Sequence, residues 1–504
     1  MYISKGVNER KIGIMLSYIN ILAHTIIGFL YIPILLYYIG KSEYGLYQLI
    51  GSLIAYFSIM DFGLTNAIVR FYARYRALGD SRRIKNLLAV SLLLYGAVAA
   101  VLLITGGICY LFLDTIFGYN MTAQELLSAR QLFLLLLFNV AINLLAMLFQ
   151  AVINAEEKFL FLKGTELFQL VMQPILVILG LQEYPYAFSV ALVQTIINCI
   201  LILARIYYCF KYLHISIHFY GWDRELLYDF RKLALSIFAV SFIDQVFLRS
   251  NQIVLGIIDG TDAVAVYSVA FLIYLNYRAL STAISGVYLP HVTALIAQKA
   301  SVTELSALFN KIGRAQYFLL LLVLTGFIIF GQQFIQLWAG NDFSSAYWMT
   351  LLIIVPFTIE LIQNVGLSIL QGMNQYTFRA KIYLGMGIIN LLLAVPLGIH
   401  WGGIGCAFAT GLCMFCGNGL IMNWYYSRII GLDIVGFWKK IGKITFVGIL
   451  CLFIGFILNG WLVSDSLLLL GGKMFAYVLV YASCMWKLVM NADEKGLVYK
   501  VLSK

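Results

Sequence analysis

What most limits this chain is a repeated length: it runs, over and over, for about 20 residues with almost no charge, the length of helix needed to cross the hydrocarbon core of a bilayer. Such runs fall at 12–38, 46–69, 87–113, 131–153, 160–181, 186–210, 233–258, 264–289, 315–337, 347–370, 382–400, 402–427, 444–460 and 473–490. They predict an all-α, polytopic membrane protein of about fourteen crossings, since only helices or closed barrels satisfy their own backbone in lipid. A barrel is excluded because the runs are continuous, whereas barrel strands alternate over about ten residues. Composition agrees: 62% of the 504 residues are hydrophobic and 11% are charged, against roughly 25% charged in soluble domains. The start, Met1 to Lys11, is polar and basic and leads into a run longer than a signal-peptide core, so the first crossing is expected to be retained.

Charge sets the orientation. With the N-terminus inside, one set of loops carries Arg70, Arg74, Arg76, Arg82, Arg83, Lys85, Lys158, Lys163, Lys211, Arg224, Arg231 and Lys232. Lys299, Lys311, Arg314, Arg379, Lys381, Arg428, Lys439, Lys440, Lys443, Lys495, Lys500 and Lys504 continue the pattern to the end. The opposite loops hold only Lys41, Arg130 and Lys473 as cations, among Glu43, Asp114, Glu125, Glu183, Asp259, Asp262, Asp342 and Asp465. By the positive-inside rule both termini are cytoplasmic. The net charge of +11 is therefore read as membrane-side asymmetry, with no nucleic-acid partner. Two longer cytoplasmic links, 211–232 and 290–314, are expected to lie on the membrane surface as amphipathic helices.

A faint repeat divides the chain. Gly40–Tyr47 (G-K-S-E-Y-G-L-Y) and Gly260–Tyr267 (G-T-D-A-V-A-V-Y) each follow one apolar run and open the next. Asn154–Lys163 and Gly372–Lys381 match in the same way. Because both copies point the same way, the repeat is parallel. The expected division is an N-terminal lobe at 1–232 (helices 1–6), a C-terminal lobe at 233–427 (helices 7–12), and helices 13–14 with a cytoplasmic tail at 428–504.

Ionisable groups inside the runs carry the chemistry, because each costs about 2.5–3.5 kcal/mol to insert and so faces a cavity or a partner. They are His24, Asp61, Glu166, Asp244, Arg249, Arg278 and Glu360. Tyr267, Phe271, Tyr274, Arg278, Ser281 and Ser285 recur at helical spacing and share one face, as do Ser241, Gln245, Arg249 and Gln252. Either face suits a wet cavity; the alternative is fixed pairing of the arginines with Asp244 or Glu360. Substrate-contact candidates are Arg278, Arg249, His24, Tyr274 and Gln245. If an ion drives the cycle, its carriers are sought in Asp244, Glu360 and Asp61. Asp61 also introduces D-F-G-L-T-N, where it supports a turn, and Glu166 lies near enough to a helix end to reach the interface. Pro33, Pro174, Pro356 and Pro396 fall inside runs and permit bends. Cys413 and Cys416 form a C-x-x-C in an apolar, Gly-rich setting with no second pair, which reads as membrane packing. No phosphate loop, metal cluster, cofactor motif or catalytic triad is visible.

The phrases I-G-K-S-E-Y-G-L-Y (Ile39–Tyr47), D-F-G-L-T-N-A-I-V-R-F-Y-A (Asp61–Ala73) and L-Q-G-M-N-Q (Leu370–Gln375) resemble the polysaccharide-transporter branch of the multidrug/oligosaccharidyl-lipid/polysaccharide exporter superfamily, along essentially the whole chain. The resemblance implies two lobes around a central cavity that opens to either side. It implies an oligosaccharide on undecaprenyl pyrophosphate as substrate, moved outward across the bacterial inner membrane for O-antigen, capsule or exopolysaccharide synthesis. Membrane lipids, the polysaccharide polymerase and the chain-length machinery are the partners it suggests. The rival readings are a lipid II flippase and a cation-coupled multidrug exporter. An enzyme is not expected, since a membrane glycosyltransferase or ligase needs a sizeable catalytic loop and the outside loops are short.

Overall fold

The computed structural model describes residues 2–222, 224–373, 375–461, 466–492 and 494–496. Asp465, Lys500 and Lys504, and the side chains of Arg224, Arg231 and Lys232, lie outside the described residues. Among the described residues the regular structure is entirely helical. The helices are α1 (Tyr2–Ser58), α2 (Leu64–Ala77), α3 (Ser81–Phe117), α4 (Ala123–Ala155), α5 (Phe159–Glu183), α6 (Ala187–Lys211), α7 (Arg224–Ile258) and α8 (Gly260–Ala297). They continue as α9 (Val302–Trp338), α10 (Ala346–Leu361), α11 (Asn364–Gly372), α12 (Tyr376–Met414), α13 (Asn423–Tyr425), α14 (Ile434–Trp461) and α15 (Leu467–Leu488).

Eleven segments among the described residues are long and apolar enough to cross a membrane. Two of them, Ala23–Ala77 and Tyr376–Ile430, run for 55 residues and each covers two expected crossings. The chain turns between those crossings at Gly40 (φ 75°) and Gly402 (φ 55°), where the backbone is not helical; a left-handed φ at these points is what glycine permits. Helix α7 occupies the place of the seventh crossing. The protein is thus a multi-pass, all-α membrane protein, and the sequence expectation of about fourteen crossings is met once the fused pairs are separated.

Several details differ from the hydropathy reading. The run at 46–69 is interrupted: α1 ends in a 3₁₀ turn at Ile59–Asp61, and Phe62 (φ 50°) and Gly63 (φ 71°) take left-handed conformations before α2. The run at 347–370 also breaks, at Ile362 and Gln363. The link 290–314 is no surface helix. Helix α8 simply continues to Ala297, and α9 starts behind a Ser301/Glu304 capping box and buries Leu305, Phe309 and Ile312. The link 211–232 leaves helix after Lys211, is stitched to α3, and returns to helix at Arg224 as the start of α7. Asn86 Oδ1 accepts from the Tyr220 amide (2.8 Å), Asn86 Nδ2 donates to the Gly221 carbonyl (3.0 Å), and Arg82 covers the Tyr220 ring.

The chain forms two compact units, Met1–Ala265 and Val266–Lys504. In the first, α1 packs on α4, α5, α6 and α7, with α4 also against α2, α3 and α6. In the second, α10 packs on α9 and α12, and α14 and α15 cover α9. All eight cysteines are free, including Cys413 and Cys416, in keeping with packing.

Candidate functional site

The phrase G-K-S-E-Y-G-L-Y fastens the first unit at the end that the charge pattern assigns to the outside. Ser42 Oγ donates to Glu125 Oε1 (2.6 Å), which also accepts from Thr261 Oγ1 (2.9 Å). Glu43 Oε2 accepts from the Ala187 amide at the start of α6 (2.8 Å). Gly45 lies so close to the α8 start that an added Cβ would stand 1.9 Å from the Thr261 carbonyl oxygen. This motif is a clasp that joins the starts of α4, α6 and α8, and close backbone approach is its physical requirement.

Inside that clasp the first unit contains a polar cleft of about 340 Å³, between α1, α4, α6 and α7. Its wall includes Tyr47, Gln48, Asn139, Asn143, Gln194 and Arg249. Helix spacing explains the arrangement: Asn139 and Asn143 are one turn apart on α4, and Gln194 and Asn198 are one turn apart on α6. Buried amides in a membrane bundle must bond to one another, because lipid offers no partner. Asn139 Oδ1 accepts from Asn143 Nδ2 and from Asn198 Nδ2, both at 2.7 Å, and Asn139 Nδ2 donates to Thr195 Oγ1 at 3.0 Å. Tyr47 OH donates to Gln194 Oε1 (2.9 Å). Arg249 extends from α7, with Nη1 3.4 Å from Gln252 Oε1, which also accepts from Ser52 Oγ. A guanidinium beside neutral amides, tyrosine and open volume suits an anionic, hydroxyl-rich ligand.

The other candidates are distributed as follows. Gln245 is half-buried on α7, and its carbonyl oxygen is buried with no hydrogen-bond partner among the described residues. Asp244 is half-buried on the same helix, and His24 is exposed on α1. Asp61 sits in the turn after α1, where its Oδ1 accepts from Thr65 Oγ1 and Tyr95 OH, each at 2.9 Å. Glu166 pairs with Lys163 at 2.8 Å.

Arg278, Tyr274 and Glu360 belong to the second unit. Arg278 is half-buried on α8. The rest of its helical face is a packing surface: Tyr274 is 1% exposed, against Phe271 and Phe357. Ser281 Oγ donates to the Leu361 carbonyl (2.7 Å) that the α10 break leaves open, and Gln316 and Asn364 donate to the Ser281 oxygens. Glu360 is engaged by Arg379, whose Nη2 lies 3.4 Å from Oε1, and by Tyr383 OH. The Arg379 guanidinium also covers the Tyr383 ring at 4.1 Å. Because α10 stops at Leu361, Glu360 stands at a helix C-terminus, where its negative charge is disfavoured and a guanidinium offsets both. Arg379 is therefore a buried structural cation; counting it among the basic loop residues missed this.

Sequence reasoning also missed the amides of α4 and α6, because it weighed ionisable side chains alone. The signal was present as Asn139/Asn143 and Gln194/Asn198 at four-residue spacing within apolar runs.

Comparison with known proteins gives first a class. The fold matches a lipid II flippase, MurJ, in an inward closed conformation, with TM-score 0.74 over 97% of this chain and 100% of that one at 16% identity. It also matches an inward-facing multidrug resistance MATE transporter of the MOP superfamily, with TM-score 0.64 over 85% and 99% at 15% identity. The family follows from sequence: the model described as polysaccharide biosynthesis protein matches residues 12–297, and the chain belongs to that family. A Shigella flexneri protein named as an O-antigen transporter is 22% identical over 401 residues, covering 78% of this chain and 91% of that protein. The uncharacterized membrane protein EpsK of Bacillus subtilis is 23% identical over 494 residues, covering 94% of each.

Proposed function

We propose that this protein is a flippase for undecaprenyl-pyrophosphate-linked oligosaccharide units. It moves them from the inner to the outer leaflet of the bacterial inner membrane by alternating access, for O-antigen, capsule or exopolysaccharide synthesis. The observation that carries the reading is the Arg249 cleft: a guanidinium among amides and tyrosine, set within apolar helices of a polysaccharide-biosynthesis family member. Sugar hydroxyls need hydrogen-bond partners that lipid lacks, and a diphosphate needs a cation.

In this reading Arg249 and Arg278 hold the pyrophosphate, with Gln245, His24 and Tyr274 as further contacts. Asp244, Glu360 and Asp61 are the candidate ion carriers. The repeat at 1–232 and 233–427, with 428–504 appended, supplies the two lobes, and both termini face the cytoplasm. No covalent step is involved; the polymerase and the chain-length machinery act on what is delivered.

The test uses cells whose only copy carries Arg249→Ala, Arg249→Lys, Arg278→Ala or Arg278→Lys, with membrane abundance checked and surface polysaccharide measured. Alanine should reduce polysaccharide at least about tenfold, the scale of losing one charged hydrogen-bonded contact. Lysine should fall between, since it keeps the charge and loses the planar fork. Normal polysaccharide from both alanine variants at normal abundance overturns the reading. Rescue of cells depleted of their lipid II flippase would instead assign lipid II, in line with the shared fold.

A further inference from the structure

The second unit contains a cavity outside everything assigned above. It holds about 820 Å³ between α9, α14 and α15, within the size range of small-ligand sites. Lys439, Lys440 and Lys443 line it from α14, and Arg314 lines it from α9. Steps of three and four residues place the lysines on one side of α14, where like charges repel. Gly442 stands among them, and nothing lies within 4 Å of where its Cβ would be, so the wall is open.

Arg314 is already matched: Nε and Nη2 donate to the two carboxylate oxygens of Glu494 at 2.7 and 3.0 Å. Among the described residues no carboxylate lies within ion-pair distance of Lys439, Lys440 or Lys443. The cavity thus gathers cations in excess, at the end of the bundle where the positive-inside pattern places the cytoplasmic surface.

We infer that this cavity binds the phosphate-bearing headgroup of an anionic bilayer phospholipid. Three lysines are point charges on long stems, suited to a phosphate diester whose orientation varies. The apolar part of the site selects a lipid over a free anion. Phe446 lines the cavity and is exposed. Below it Ile449, Leu450 and Phe453 continue as an exposed stripe at helical spacing, a track for acyl chains descending from the headgroup.

The experiment uses the full chain purified in neutral detergent, with bound lipid measured by native mass spectrometry. Phosphatidylglycerol should bind with an affinity that falls as salt rises, and phosphatidylcholine should not. Lys439→Gln/Lys440→Gln/Lys443→Gln should weaken phosphatidylglycerol roughly a hundredfold, at about fivefold per lysine near the membrane surface. Lys443→Gln alone should show about fivefold, which keeps the test open should the triple variant fold poorly. Phe446→Ser should weaken lipid and leave inorganic pyrophosphate unaffected. Equal phosphatidylglycerol binding by wild type and the triple variant overturns the site. Phosphatidylglycerol binding that is unchanged by Phe446→Ser, while inorganic pyrophosphate displaces it, overturns the lipid as its occupant. Binding is read without transport, so its failure and failure of the flippase reading are separable.

Discussion

Arg249 in the first unit and Arg379 in the second are both arginines drawn into an apolar bundle, and their surroundings differ in kind. Arg379 is closed in: its side chain is 8% exposed and that of Glu360 is 11% exposed, with Tyr383 bonded to the carboxylate and lying under the guanidinium. Arg249 lies along an open cleft whose wall combines tyrosine, glutamine and asparagine with apolar residues such as Ile54, Leu136 and Val140. A buried pair with its counter-charge in place is a fixed joint, strongly destabilising to break because the surviving charge is stranded. Arg249 instead borders open volume and neutral amides, so its surroundings are not filled by packed side chains. The lesson is that depth alone does not mark a functional charge; the volume beside it and the chemistry of its wall do.

The largest effect should come from the closed pair. Arg379→Ala should destabilise the protein by about 3–5 kcal/mol, and Glu360→Gln by a smaller amount because the amide still accepts from Tyr383. Thermal unfolding in detergent reads both, and the double variant should recover part of the loss. Unchanged stability in Glu360→Gln together with lost ion dependence of transport would move Glu360 from joint to ion carrier and erase the contrast. Next is Gly45→Ala, which tests whether the first unit is held by backbone contact. The added methyl would overlap the Thr261 carbonyl oxygen, so a loss of about 1–3 kcal/mol is expected. A neutral result would mean that the clasp rests on Glu125 and Glu43 instead.

The smallest effect concerns the second ion pair of the second unit. Burial pushes the Glu494 carboxyl up, but hydrogen bonds from Arg314 and the Asn491 amide outweigh it and hold the group below its ordinary value. Its contribution is therefore present above the ordinary glutamate range and lost as pH falls through the lowered folded value. Unfolding midpoints taken downward from neutral pH should drop more for wild type than for Glu494→Gln, by the equivalent of about 1 kcal/mol or less, the scale of a partly exposed pair. Parallel profiles would remove Glu494 as a joint.

The crossings were legible because each is a local property: about 20 apolar residues declare a membrane helix whatever lies elsewhere. The turns at Gly40 and Gly402 were legible as gaps between runs, but the breaks at Phe62 and Gln363 were not, since glycine and amides inside a run permit a turn without requiring one. Arg249 was legible as a mid-run charge on a face with Gln252. The cleft around it was not, because Asn139, Gln194 and Tyr47 come from helices far apart in sequence, and nothing local says they meet. Glu360 was legible as a costly carboxylate, yet its partner had been read as a loop residue until the break after α10 brought the two within reach.

The sequence by itself determined the solvent this protein lives in, its helical class, its approximate number of crossings, the sidedness of its charge and the family to which it belongs. Hydropathy and charge act on each segment separately and survive without knowledge of neighbours. Only the tertiary structure decided which buried charges are closed in joints and which border open space. That outcome depends on distances of a few ångströms between helices, set by packing at Gly45, by the amide ladder on α4 and α6 and by the broken end of α10, which no single run of residues encodes.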